Sequence, residues 1–159
     1  MTNTTIGTYG YNALDIAEYI IKYEDAKDHL INNLKLQKVL YFLQAQFVVS
    51  TGNSLFDEEI VAWDFGPVVM SVYNRYKVYA GASIFINNSG CRNAYIDPVH
   101  KEIINKILEY IRPYSAWQLT QICHHQTPWM NARVRWNNVI SLYELRDFFK
   151  EDDSHNDKT

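Results

Sequence analysis

The apolar positions of this chain follow helical spacing over most of its length. From Asn12 onward, Ala13, Ile16, Ala17 and Ile20 recur on one face, Asp15, Glu18 and Lys22 point elsewhere, and Asn12 stands where a helix cap belongs. After a connection around Asp28-His29-Leu30, a longer helix is predicted from about Asn33 to Ser50, with Gly52 as its stop. At a step of about 100° per residue, Leu36, Val39, Leu40, Leu43 and Phe47 share an arc of about 100°. Gln37, Tyr41 and Gln44 fall on a different face. The same helix therefore carries an amide and aromatic stripe beside its apolar one.

The period then shortens. Ile60-Val61-Ala62-Trp63-Asp64-Phe65 reads as a strand with Val61, Trp63 and Phe65 on one face. Gly66-Pro67 closes it, and Pro67 is expected to open a helix through Tyr73 and Tyr76. Ser83-Ile84-Phe85-Ile86 is a second predicted strand, and Asn87-Asn88-Ser89-Gly90 a turn. Asp97-Pro98 pairs a cap with an N1 proline, and the helix it starts carries Val99, Ile103, Ile107 and Ile111 on one side until Pro113. Ser115 and Gln118 have capping-box spacing, Thr127-Pro128 repeats the cap-plus-proline device, and Ser141 with Glu144 starts a last helix ending near Phe149. The fold class that follows is mainly α (α+β): a compact helical domain around a long central helix, with a small two- or three-stranded sheet. Residues 1–11 are expected to be a flexible start, residues 12–150 one domain, and residues 151–159 an acidic flexible tail.

Composition narrows the classes of function. At 159 residues and 47% hydrophobic content the chain has the size and apolar fraction of a single globular domain, which excludes a disordered protein. No apolar run approaches the ~20 residues of a membrane helix. The start, Met1-Thr2-Asn3-Thr4-Thr5, has neither a basic nor an apolar region, so a cytoplasmic location without a leader is expected. A formal charge of −3 argues against a broad nucleic-acid footprint. Arg133 and Arg135 beside Trp136 read as a solvated face with one aromatic tucked beneath. Cys91 and Cys123 lack C-x-x-C spacing and are expected to be reduced. The 12 Tyr, 7 Phe and 4 Trp suit core edges and protein interfaces alike.

Candidate chemistry is thin. Cys123-His124-His125 is the natural place to look for a metal or a nucleophile. Neighbouring residues on a helix diverge by about 100°, and structural zinc takes four ligands, so no metal is expected. Catalytic partners meet across a fold rather than along the chain, so adjacency gives no support for a Cys/His pair. Asp57-Glu58-Glu59 reads as a solvated loop, and no phosphate-binding glycine loop is present. Lys35-x-x-Lys38 with Gln37 reads as a group satisfying backbone near the Trp63 strand rather than as a nucleic-acid helix. No enzymatic activity and no cofactor are expected.

Three segments carry a resemblance: Asn33-Leu34-Lys35-Leu36-Gln37-Lys38-Val39-Leu40-Tyr41-Phe42, then Ala62-Trp63-Asp64-Phe65-Gly66-Pro67-Val68, then Tyr114-Ser115-Ala116-Trp117-Gln118-Leu119 with His124 and Pro128-Trp129. In this order they resemble the Panacea-domain family of SocA-like antitoxins and phage-associated proteins, over roughly residues 12 to 135. Cys123 stands where the family often has threonine. The residues matching the family motif are Leu34, Leu36, Gln37, Lys38, Tyr41, Trp63, Gly66, Pro67, His124, Pro128 and Trp129, and structural roles are expected for them. For His124 the expected role is a ring hydrogen-bonded to backbone. The resemblance implies an antitoxin that neutralises a cognate toxin protein by direct binding, with no nucleic acid bound by the chain itself and no membrane. Two alternatives stand beside it: a proteolytic adaptor that also meets a protease, and a phage or prophage interaction protein without a toxin partner. For the partner surface the reading selects Trp63, Phe65, Tyr73, Arg75 and Tyr76, rigidly held aromatics with an arginine among them.

Overall fold

The longest predicted helix is the axis of the molecule. In the computed structural model, which describes residues 4–156, the elements run β1 (Gly7–Tyr11), α1 (Ala13–Ala26), α2 (Asn33–Thr51), β2 (Asn53–Phe56), β3 (Val61–Trp63), β4 (Gly66–Val68), α3 (Met70–Tyr76), α4 (Pro98–Ile111), α5 (Ala116–His124), α6 (Thr127–Arg133) and α7 (Leu142–Asn156). The protein is mainly helical with a minor β component. Among the described residues no helix is long and apolar enough to cross a membrane.

α2 forms where its caps require. The Asn32 side chain accepts from Lys35 N–H, and Gly52 ends the helix at φ 79°, a left-handed turn that glycine takes without strain. Its predicted apolar row of Leu36, Val39, Leu40, Leu43 and Phe47 is buried with Ile16 and Ile20 of α1 and Ile104 and Leu108 of α4. Each such side chain contributes about 1.5–3 kcal/mol of transfer free energy. The amide stripe is buried as well. Gln44 Oε1 accepts from Leu55 N–H (2.8 Å), and its Nε2 donates to Phe56 O (2.9 Å), so one carboxamide pairs with β2 as a neighbouring strand would. At the other end of α2, Arg112 grips the buried Glu24 through Nε and Nη2 (3.0 and 2.8 Å), and Lys35 Nζ donates to Arg112 O.

The strands form two separate two-stranded pairs. β1 runs parallel to β2, Gly7 opposite Asn53 and Thr8 opposite Ser54. Gly7–Tyr11, within the start expected to be loose, is therefore strand, and residues 1–3 of that start lie outside the described residues. β3 and β4 are antiparallel, with Trp63 opposite Gly66 and Ala62 opposite Pro67. This corrects the expectation that Gly66-Pro67 ends a strand and opens a helix. Pro67 has no N–H to offer the facing Ala62, whose carbonyl accepts from Arg133 Nη1 (3.2 Å) and whose N–H goes to Asn138 O (2.8 Å), so no group of Ala62 is left unpaired, and α3 begins only at Met70. Residues 83–86 form no strand. Ile84 N–H reaches Ile31 O (2.9 Å), but the facing segment turns into the cap of α2 at Asn32 and offers nothing further.

The later helices keep their predicted starts with local shifts. Asp97 caps α4, whose buried side is Ile104, Leu108 and Ile111, while Val99 is exposed and Ile103 and Ile107 are half-buried. Ser115 and Gln118 form the full capping box of α5. Ser115→Ala is expected to lower stability by about 1 kcal/mol, read from the urea midpoint at unchanged slope. The cap position of α6 is Gln126 rather than Thr127, and its side chain is taken by Tyr41 instead of a backbone N–H. α7 continues past Phe149 to Asn156, since its acidic run holds no glycine or proline to stop it. The rest of the expected tail, residues 157–159, lies outside the described residues. Arg146 Nη1 donates to Thr4 O (2.8 Å) and Ile6 N–H to Tyr143 Oη (3.4 Å), which brings the two ends of the fold together.

Candidate partner-binding hairpin

β3 and β4 are joined by the two-residue turn Asp64-Phe65. Backbone pairing holds one edge of this hairpin, and side chains from three helices hold its carbonyls. Arg133 Nη1 donates to Ala62 O (3.2 Å), Trp129 Nε1 to Trp63 O (2.9 Å), and His124 Nε2 lies 2.7 Å from Asp64 O, which places a proton on Nε2. Lys38 Nζ donates to Pro67 O (3.4 Å), and the one hydroxyl proton of Thr120 is shared between Ala116 O (2.9 Å) and, as the longer branch, Phe65 O (3.4 Å). Just beyond β4, Gln37 Oε1 accepts from Val69 N–H (2.9 Å) while its Nε2 donates to Asn33 Oδ1 (2.9 Å). Thr120 and His124 share a face of α5, and Trp129 and Arg133 share one of α6, each pair at i, i+4. The hairpin lies across both faces. Arg133 also pairs with the Asp64 carboxylate and stands over the Trp129 ring, and the His124 ring packs against Trp129 at 4.4 Å between centroids.

Beneath Gly66 lies Lys38, whose side chain has 0% exposure. Burial pushes its amine down to about 8. Burial also pushes the Cys123 thiol up to about 12, with the nearby Lys38 acting the opposite way. Tyr41 donates its hydroxyl to Gln126 Oε1 (2.7 Å), and burial raises that phenol well above its ordinary range. His125 Nδ1 sits 2.7 Å from Gln121 O, so the two adjacent histidines serve different carbonyls. Among the described residues no three His, Cys, Asp or Glu side chains converge on a metal position.

Most residues of the family motif thus turn inward. Leu36, Gln37, Lys38, Tyr41, Gly66 and Pro128 are buried, Trp129 is half-buried, and Leu34 is exposed. The five residues selected for the partner surface are dispersed. Phe65 stands at the hairpin tip, 65% exposed, and not on a strand face with Val61 and Trp63. Trp63 is half-buried, with Tyr73 edge-on to it at 4.8 Å. Tyr76 is only 7% exposed, and Arg75 is exposed on another side of α3, where it lines a cavity with Glu18 and Arg92. Sequence reasoning missed Thr120 and Arg133 as holders of the hairpin. Their helical spacing from His124 and Trp129 was the available signal. The trio around Trp136 also differs from expectation: Arg133 and Arg135 are paired with Asp64 and Glu144, and Trp136 is the exposed member.

A family model described as the antitoxin SocA-like Panacea domain matches residues 36–130, a span containing the hairpin and four of the five side chains that hold its carbonyls. The chain belongs to this Panacea-domain family. Antitoxin SocA of Caulobacter vibrioides (strain NA1000 / CB15N) is 30% identical to it over 130 residues, which cover 74% of this chain and 68% of that protein. No solved structure matches the chain. For this Panacea domain, the matched span takes in both strands of the hairpin together with α3, α4 and α5.

Proposed function

We propose that this chain is the antitoxin of a toxin–antitoxin pair and neutralises a cognate toxin protein in the cytoplasm by binding it directly. It does so without catalysis, cofactor, nucleic acid or membrane. The observation that carries the reading is the likeness to Antitoxin SocA over most of both chains. The hairpin supports it physically. A turn whose carbonyls are already held loses little conformational freedom on binding, so an exposed Phe65 at its tip suits a contact residue. Trp63 in the hairpin has Tyr73 edge-on to it, Arg75 is exposed on another side of α3, and Tyr76 belongs to the interior.

The test is co-expression with the product of each adjoining open reading frame. One of them is expected to arrest growth alone, to be harmless with this chain, and to co-purify with it. Phe65→Ala is expected to weaken that rescue while leaving the thermal melt unchanged. If the toxic product disappears from the cell and persists when proteases are deleted, the chain is an adaptor and not a neutraliser. If neither product is toxic or bound, the antitoxin reading is wrong.

A further inference from the structure

Residues 80–97 form no strand and no α-helix, only a short helical turn at Asn88–Gly90, yet they are tied firmly to the body. Ordered irregular segments longer than about 12–15 residues are uncommon in compact domains and usually functional. Ile84 N–H donates to Ile31 O (2.9 Å) and the Tyr79 hydroxyl to Phe85 O (2.8 Å). Further along, Arg92 N–H reaches both carboxylate oxygens of Glu18 (3.0 Å each). Between these ties, α1, α3 and the segment leave a cavity of about 530 Å³. Leu14, Tyr79 and Phe85 give it apolar walls, and Arg75, Arg92 and Tyr76 give it polar ones.

The polar groups are unevenly matched. Arg92 is paired with Asp15, and Glu18 with Lys22. Among the described residues Arg75 has neither an ion pair nor a hydrogen bond, which leaves one positive charge at the cavity uncompensated. Tyr76 is only 7% exposed, and its hydroxyl makes no hydrogen bond among the described residues. A buried phenol oxygen normally finds a partner. This one is not sealed from solvent, and the cavity is what Tyr76 opens onto. Burial raises the phenol, with the Arg75 charge acting the other way, so at neutral pH it is a donor beside a cation.

We propose that this cavity binds a small organic anion, its carboxylate or phosphate head on Arg75 and the Tyr76 hydroxyl, its apolar body against Leu14, Tyr79 and Phe85. A guanidinium offers five N–H donors and no acceptor, so an oxyanion satisfies it best. The volume lies within the about 300–1,000 Å³ of small-molecule sites, which combine apolar walls with a few placed polar groups. The segment is tied down before any ligand arrives, so little ordering is lost on binding. A lone carboxylate side chain from another protein would satisfy Arg75 and leave the apolar wall uncovered. Phe65 is not among the residues lining the cavity, and the site does not rest on the toxin-binding reading.

The experiment is an NMR titration of the full chain alone with phenylacetate, phenyl phosphate, benzyl alcohol and acetate, following the amide shifts of residues 75–92. Phenylacetate or phenyl phosphate is expected to bind with a Kd of about 1 mM or tighter, and the better of the two identifies the head group. Benzyl alcohol lacks the charge and acetate lacks the ring, so each is expected to bind at least about 10-fold more weakly. Arg75→Ala is expected to weaken the better probe about 10-fold or more, and Tyr76→Phe about 3-fold, with parental melts for both. Parent-like binding by Arg75→Ala, or shifts centred outside residues 75–92, overturns the proposal. So does the absence of shifts with both aromatic anions. Acetate binding as well as phenylacetate also overturns it, since the surface then reads charge alone, as from an acidic side chain of another protein. None of these results bears on the antitoxin role, which is tested with the adjoining gene products.

Discussion

Gly66→Ala is expected to destabilise the protein by about 3–4 kcal/mol. Two independent terms combine. Gly66 sits at φ 106°, outside the left-handed basin that L-residues visit, and forcing a side chain there costs about 1–3 kcal/mol. A Cβ built at this position also lies 2.6 Å from Lys38 Cε and 3.2 Å from its Cδ. Lysine tips usually swing aside from such a contact. This one is fully buried beneath the hairpin, so the overlap behaves as overpacking and costs about 1–3 kcal/mol more. Urea denaturation gives the total. Adding Lys38→Ala separates the terms, because it removes the overlap and leaves the backbone strain, so the double mutant should recover about 1–3 kcal/mol of coupling. A Gly66→Ala protein within about 1 kcal/mol of the parent means that the hairpin shifts freely on its supports, contrary to the arrangement described here.

Lys38→Met is expected to act in the opposite direction, raising stability at pH 7 by about 2 kcal/mol. The buried ammonium has one long contact, 3.4 Å to Pro67 O, to offset its lost hydration. A fall from 10.5 to about 8 corresponds to about 3 kcal/mol of penalty on the charged form. Some of that gain is lost again when Pro67 O gives up its donor. The pH dependence identifies the cause. Below about pH 8 the lysine is charged in both the folded and the unfolded chain, and the penalty is complete. Between about 8 and 10.5 the unfolded chain holds a proton that the native state has released, so parental stability climbs with pH. Cys123 works against this above pH 9, since its thiol stays protonated in the native state up to about 12. Comparing parent with Lys38→Met largely removes the cysteine contribution. The stability gap between them should be widest at pH 7 and narrow steadily toward pH 10. A constant gap would show that the amine is charged and solvated in the native state.

What the sequence disclosed divides by range. α1, α4 and α5 were legible because their signals are local: Asn12, Asp97-Pro98 and Ser115-Gln118 are caps whose partners lie within three residues, and α2 showed its stop at Gly52 though not its cap at Asn32. The apolar row of α2 was legible for the same reason. β1 was not, because Gly7-Thr8-Tyr9-Gly10-Tyr11 lacks apolar alternation and is held by a partner strand starting at Asn53. Gly66-Pro67 misled because a proline fits equally at the first turn of a helix and opposite a residue whose N–H points away. The inward roles of Gln37, Lys38 and His124 followed from the motif and its likeness to a family. Those of Thr120 and Arg133 did not, since their acceptors are backbone carbonyls, and any residue supplies one. Exposure of Trp136 was unreadable in principle: a tryptophan among aromatics has the same letter whether it fills a core or stands in water.

The hairpin also has a timetable. Its carbonyls belong to residues 62–67, yet Thr120, His124, Trp129 and Arg133 follow their acceptors by 55, 60, 66 and 71 positions. At about 5–20 residues per second, a ribosome supplies those side chains roughly 3 to 14 seconds after making the turn they hold. During that interval the nascent chain has the turn residues and Lys38 but not the four later supports. Under the proposed role, protection therefore dates from completed synthesis and not from its beginning, and a message broken before the codon for Arg133 encodes a chain with its recognition surface unfinished.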